Sequence, residues 1–342
     1  MKLSYRKSPL SILILGGTGF LGQSVVMQCL ARGYSVTVCV RGDTPNELPQ
    51  SVERRIADRH DPLAVAQSLG NGRWDVCIDM SGYLPIHVRQ TATLLRERVA
   101  HYIYISAVKA FEPPTPHHVA ITEKSPTYSP IDETITHIDN HTYGPLKATS
   151  EQIVRSLFPL RATILRPQVI IGPHDCSGRL AYWLLRAQGT GTPLLPGRGD
   201  DHLQVVDVMD IAAFMMKVIQ NRWVGDFNLA GEKVSWLRFV QLLNMSHGQW
   251  VASEKIAEAG LSFRELPLYR VKGSTEASYM NIDNSKARAH GFTVTDFSHS
   301  VSRYAAWLSE NGHRIPDDIH AEWLTPEQEY ELVKASAGAV SH

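Results

Sequence analysis

Residues 11–22, read SILILGGTGFLG, constrain the fold of this chain more than any other stretch. Ile12, Leu13, Ile14 and Leu15 form a continuous apolar run, the pattern of a parallel strand buried on both faces. Glycines follow at Gly16, Gly19 and Gly22, and a helical apolar pattern (Leu21, Val25, Cys29) starts at once. A strand that turns this tightly into a helix presents the helix N-terminus to whatever lies over the turn, and a phosphate is favoured there. One glycine makes the turn, one lets the backbone approach a pyrophosphate, and one lets helix and strand pack closely.

Behind this stretch, strand-like and helical runs alternate. Strands are predicted at 36–40, ending at 56–58, at 74–80 (WDVCIDM) and at 101–105 (HYIYI), with helices at 63–69 and 88–98. Such alternation implies right-handed crossovers and a doubly wound parallel α/β sheet. Residues 112–141, rich in proline, threonine and histidine, read as a long surface loop, a kind that is usually functional or mobile. A helix over 143–157 and a strand over 162–171 (ATILRPQVII) come next, then a glycine- and proline-rich loop at 189–201. Further helices are predicted at 210–220, 236–245 and 300–309, a short strand at 226–230, and a helical tail segment at 326–337. The organisation expected is a dinucleotide-binding domain over 10–171 with 201–223 returning to it. A smaller C-terminal α/β substrate lobe takes 172–200 and 224–330, and 331–342 is a tail.

The 342 residues carry 34 basic and 34 acidic side chains, so bulk charge offers nothing to a polyanion and no nucleic-acid partner is expected. Cys29, Cys39, Cys77 and Cys176 lack zinc-like spacing, and Cys39 and Cys77 lie in apolar strand runs. Reduced, buried thiols and a cytoplasmic location fit that usage, and no metal is expected. The basic N-terminus MKLSYRKSPL precedes an apolar run that is short and ends in glycine, so it reads as a strand and not as a signal peptide or membrane span.

Tyr143 and Lys147 are spaced i, i+4 and share one face of the predicted helix. Pro145 is tolerable there because it falls in the first turn. A lysine ammonium beside a phenol favours the phenolate, and a tyrosine so tuned moves a proton at an alcohol or carbonyl oxygen.

Taken in order, GGTGFLG at 16–22, YIS at 104–106, Tyr143-Gly-Pro-Leu-Lys147, LRPQVIIGP at 165–173 and VVDVMDIA at 205–212 resemble the extended short-chain dehydrogenase/reductases of the epimerase/dehydratase type. The resemblance runs from about residue 11 to 310. It implies a Rossmann-type fold and reversible hydride transfer to a nicotinamide cofactor. Gly16, Thr18, Gly19, Phe20, Leu21 and Gly22 would hold the pyrophosphate and Asp58 the adenine. Ser81 and Gly82 would lie along the cofactor, and Pro167 near the nicotinamide. Tyr143 would be the acid/base, Lys147 would bind the nicotinamide ribose, and Ser106 would be the third catalytic member. A small-molecule substrate, a homodimer and no membrane partner complete the expectation.

Three departures stand beside the match. Many relatives place an aspartate at the end of the second strand, where this chain has Val40 and then Arg41. Arginine suits the 2′-phosphate of NADP, so NADP is the expected cofactor, with NAD as the alternative. The usual second hydroxyl falls on Ala107 if Phe111 holds the register, and on Ser106 if the segment shifts by one. Leu203 stands where nucleotide-sugar enzymes usually present an arginine, with Arg198 nearby but offset. Arg179, Trp183 and Arg186, at i, i+4, i+7, form either a cationic face for an anionic substrate or a solvated helix face. Three functions stay open: a reductase or dehydrogenase of a small metabolite, an epimerase or dehydratase that restores its cofactor within one turnover, and a non-enzymatic dinucleotide sensor or RNA-binding module.

Overall fold

The computed structural model describes residues 9–43, 48–116, 118–312 and 315–338. The N-terminal residues 1–8, the middle of the proline-containing stretch 43–50 and the tail end at 339–342 lie outside them. The chain opens with β1 (Ser11–Leu15), α1 (Phe20–Ala31), β2 (Ser35–Val40), β3 (Glu53–Ile56), α2 (Pro62–Leu69), β4 (Trp74–Asp79), α3 (Pro85–Leu95) and β5 (Val99–Ile105). After a long loop come α4 (Tyr143–Leu157), β6 (Ala162–Pro167), β7 (Ile170–Ile171), α5 (Arg179–Gln188), β8 (Leu194–Pro196), β9 (His202–Gln204), β10 (Val206–Asp207) and α6 (Val208–Asn221). The last part holds β11 (Gly225–Leu229), β12 (Lys233–Ser235), α7 (Trp236–Leu242), β13 (Gln249–Val251), α8 (Ser253–Glu258), α9 (Ser285–Ala289), α10 (Phe297–Glu310), α11 (Asp317–Ala321) and α12 (Pro326–Gly338).

Seven strands form one sheet in the order β11-β6-β5-β4-β1-β2-β3, every pair parallel. The doubly wound Rossmann reading therefore holds. Strand order reverses between β1 and β4, and ligands of such sheets bind in the crevice outside the carboxyl ends at that reversal. Period-two alternation gives each face its own core. Ile12 and Ile14 point to the side covered by α1 and α6, and Leu13 and Leu15 to the side covered by α2, α3 and α4. A separate core, centred on Trp183, Trp236, Phe239 and Tyr304, fills the C-terminal part of the chain. Buried Arg166 of β6 donates to Glu151 of α4 at 2.8 and 2.6 Å and to Asp226 of β11 at 3.0 Å, tying the helix that carries Tyr143 to the sheet.

Some boundaries differ from expectation. The strand expected over 162–171 breaks after Pro167. Gln168 then donates from its backbone to Leu229 O (2.9 Å) and from its side chain to Tyr279 O. That turns the chain out of the main sheet, and Ile170–Ile171 pairs with β10 instead. α3 begins at Pro85, three residues before the predicted start at 88, because proline suits a first helical position. The 189–201 loop contains β8, paired with β13. α12 crosses the boundary drawn at residue 330. Its buried Glu329 accepts from Leu194 N (2.7 Å) and pairs with Arg186 (2.6 Å), docking the tail on the second core.

Backbones approach closely at the glycine turn, where a Cβ on Gly22 would lie 2.5 Å from Gly17 Cα. Rigid backbone cannot yield as a side-chain tip can, so Gly22→Ala is expected to destabilise the protein by about 1–3 kcal/mol, read from urea midpoints at unchanged slope.

Candidate active site

The glycine turn is built as the spacing suggests, with one addition. Gly16 (φ 96°) and Gly17 (φ 109°) are both left-handed, which side chains resist. Gly17 was not singled out from sequence, although the doubled glycine is its signal. Gly19 caps α1 without a side-chain hydrogen bond, and nothing lies within 4 Å of where its Cβ would be. The start of α1 is therefore open at Gly19, with Phe20 half-buried, while Leu21 and Gly22 are packed inward. Thr18 is buried, and its carbonyl accepts from Gln23 Nε2 at 2.9 Å.

Arg41 follows β2, exposed and 3.7 Å from the equally exposed Asp43. Asp58, just past β3, accepts from the His60 backbone N–H (2.9 Å) and faces the His60 ring (2.8 Å). Those contacts, led by the backbone N–H and joined by the charge of Arg41, hold its carboxyl below the usual range. At the end of β4, buried Asp79 takes a two-pronged contact from Arg59 (2.6 and 3.0 Å) and a bond from the Tyr102 hydroxyl (2.8 Å). Arg59 also donates to Ser81 Oγ (3.0 Å) and His87 O (3.1 Å), fixing the path of Ser81 and Gly82. No sequence rule used above points to Arg59. Pro167 is buried at the end of β6.

Tyr143 and Lys147 share a face of α4, but their electrostatic relation differs from the expected one. Lys147 is buried, and its ammonium donates to Gly82 O (3.0 Å), Ile105 O (2.9 Å) and the Tyr104 hydroxyl (3.2 Å). Burial among neutral acceptors pulls it down to about 8. The Tyr143 phenol is pushed well above its ordinary value by burial, then by the neighbouring Tyr83 phenol, while Arg179 pulls it down. The cation that eases its ionisation is thus Arg179, because Lys147 is turned onto the carbonyls beneath. Ser106 follows β5 and is 3% exposed, and its Oγ finds no hydrogen-bond partner among the described residues. Ala107 stands next to it, ahead of the short helical turn Val108–Ala110.

On the substrate side the face expected from Arg179, Trp183 and Arg186 does not form. Trp183 is fully buried against Trp236, with Nε1 donating to Pro267 O at 2.6 Å, and Arg186 is taken by Glu329. Packing wins because a tryptophan buries more apolar surface than an exposed stripe allows. Only Arg179, half-buried at the start of α5, comes within range of Tyr143. Arg198 is exposed and acts on Asp200 instead. Leu203 is fully buried in β9, opposite Val234. Arg270, which the sequence did not flag, sits near Arg179. Burial lowers it to about 10, with Arg179 adding to the effect against Glu276.

The sequence model of the NAD dependent epimerase/dehydratase family matches residues 12–230, more than half of the chain. The chain belongs to that family. It is a family of enzymes, and the resemblance drawn from the five motifs is borne out. The chain is 26% identical over 238 residues to the chloroplast stem-loop binding protein of 41 kDa b of Arabidopsis thaliana, covering 65% of this chain and 59% of that protein. It is 26% identical over 222 residues to the 2'-dehydrokanamycin reductase of Streptomyces kanamyceticus, covering 62% and 58%. The chain thus spans under two thirds of the length of either relative. The Bordetella bronchiseptica enzyme WbmG, solved with NAD and UDP, superposes with a TM-score of 0.67 at 18% identity over 91% of this chain and 97% of that one, a likeness of fold. Among the described residues no helix is long and apolar enough to cross a membrane, and no cluster suited to a metal ion occurs.

The lowered Lys147 has a sign that can be checked. Its native value, about 8, lies below the unfolded one, so the unfolded chain holds more protons between roughly pH 8 and 10. Over that window this group makes stability rise with pH. The unfolding free energy of the wild type, measured without dinucleotide, should gain on that of Lys147→Met between pH 7 and about pH 9.5.

Proposed function

We propose that the chain is an NAD(P)-dependent oxidoreductase that interconverts a secondary alcohol and a ketone on a small anionic metabolite, with Tyr143 as the acid/base. The observation that carries this reading is the part-buried Tyr143 at the start of α4, its phenol within reach of the Arg179 charge, together with the open glycine turn ahead of α1. A dinucleotide fits these residues. The uncapped helix start and the bare side of Gly19 suit its pyrophosphate, and Ser81 and Gly82 line the end of the neighbouring strand. Bound there, its nicotinamide would supply or accept the hydride. WbmG, the structural neighbour solved with NAD, supports the general placement.

The chain's own part is the proton. Burial keeps Tyr143 protonated at neutral pH, so in the ligand-free protein it is an acid ready to donate to a ketone oxygen as that oxygen gains charge. Arg179 lowers the cost of the phenolate left behind. Arg179 and Arg270 have no carboxylate within ion-pair distance among the described residues, which supports an anionic substrate group. Leu203, sealed in the core, offers nothing to a sugar diphosphate. The similarity to the dehydrokanamycin reductase favours a reductase. The family's name keeps an epimerase or dehydratase as the second reading. A tightly retained oxidised dinucleotide in the isolated protein would select that second reading, and a freely exchanging one the first. The similarity to the stem-loop binding protein leaves RNA binding as the outcome if no dinucleotide binds.

Tyr143→Phe should lower turnover by at least about a hundredfold while leaving dinucleotide affinity and unfolding midpoints near wild type. Retention of most of the rate would remove Tyr143 from the chemistry. Arg41→Ala should weaken NADP binding by about ten- to a hundredfold, the loss of one charge-assisted contact, and leave NAD binding unchanged. Calorimetry with both dinucleotides on both proteins reads this directly, and equal selectivity in the two would overturn the NADP preference.

A further inference from the structure

We infer that Tyr83 supplies the second hydroxyl of the active site, hydrogen-bonding the substrate oxygen opposite Tyr143, in the role that Ala107 cannot fill. The inference rests on the reading of Tyr143 as the acid/base.

Ala107 brings only a methyl group, and the neighbouring Ser106 hydroxyl is buried without a partner among the described residues. The loop after β4 brings a phenol against Lys147 instead. Gly82 must be glycine there, since a Cβ would lie 2.7 Å from the Tyr104 ring and 2.8 Å from Val88. Its carbonyl accepts from Lys147 (3.0 Å) and from the Tyr104 hydroxyl (2.6 Å), so the loop cannot drift. Tyr83 follows directly, with its N–H on Ser81 O at 3.0 Å. Its ring lies over the Lys147 ammonium at 5.0 Å, and Tyr104 contacts the same ammonium at 4.9 Å. Tyr83 is 49% exposed. Its hydroxyl end is nonetheless desolvated, which keeps the phenol protonated, and it is the neighbour that most opposes ionisation of Tyr143. Cys176, on the loop before Arg179, is the next group it faces.

A tyrosine held this way is half open to an incoming ligand, protonated, and next to the acid/base. That is what a donor to a developing oxyanion requires. Tyr83 keeps its own proton throughout: it polarises the oxygen, and no bond to it forms or breaks. Tyr143 makes the proton transfer alone.

The test uses reduction of 9,10-phenanthrenequinone by the dinucleotide that the protein binds, followed by loss of the reduced cofactor's absorbance. Tyr83→Phe keeps the ring over Lys147 and removes only the hydroxyl. Its kcat should fall roughly a hundredfold with KM and dinucleotide affinity nearly unchanged. Adding Ala107→Ser to that variant should restore part of kcat, which a merely structural role of Tyr83 would not allow. A Tyr83→Phe enzyme at wild-type kcat, or a large loss in Ser106→Ala with none in Tyr83→Phe, overturns the inference while Tyr143→Phe remains inactive. Activity surviving in Tyr143→Phe would instead overturn the acid/base reading itself.

Discussion

The buried pair between Asp79 and Arg59 sets the geometry on which the candidate site depends. Asp79 is fully buried at the end of β4 and meets Arg59 by both oxygens. Burial by itself would pull the guanidinium down, and the carboxylate outweighs it, so Arg59 stays a cation. Removing either partner would leave the other charge buried and alone, a loss of about 3–5 kcal/mol in comparable pairs. The contact also has direction. It joins the loop after β3 to the end of β4 and leaves Arg59 free to hold Ser81 Oγ and His87 O. The backbone therefore leaves β4 along one path, and Gly82 O arrives where Lys147 and Tyr104 can both donate to it.

From that carbonyl the rest of the centre follows. Lys147 spends its hydrogen bonds on two carbonyls and a phenol, so it fixes the β4 and β5 loop ends against α4 and does little for the charge on Tyr143. The tuning charge comes from Arg179 across the cleft. The ease of ionising Tyr143 thus depends on how α5 sits over the sheet.

The sheet and the helix that carries Tyr143 were legible because both obey local rules. The glycine turn, the strand runs and α4 from Tyr143 to Leu157 are written in periodicity, proline placement and spacing. What was not legible depends on contacts distant in sequence. Arg59 belongs to a polar run that reads as a solvated loop, and only Asp79, twenty positions on, gives it a role. Tyr83 follows a strand and looks like any loop aromatic until Lys147 is placed beneath it. The break after Pro167 needed Leu229 and Tyr279 as acceptors. Arg179, Trp183 and Arg186 do share one helix, yet spacing cannot say that Trp183 turns into the core and that Glu329 neutralises Arg186.

That neutralisation sharpens the meaning of the arginine left over. A cation at the first position of a helix opposes the helix dipole, so Arg179 is not placed there to stabilise α5. Its neighbour Arg270 is another cation, and the nearby Glu276 is already engaged by Lys109 at 2.7 Å. Two like charges near one another, partly desolvated and with no carboxylate within ion-pair distance among the described residues, raise the free energy of the empty protein. An anion entering between them would recover that cost on binding. On the proposed reading, the same repulsion that makes the pair unfavourable for folding would favour a negatively charged group beside Tyr143.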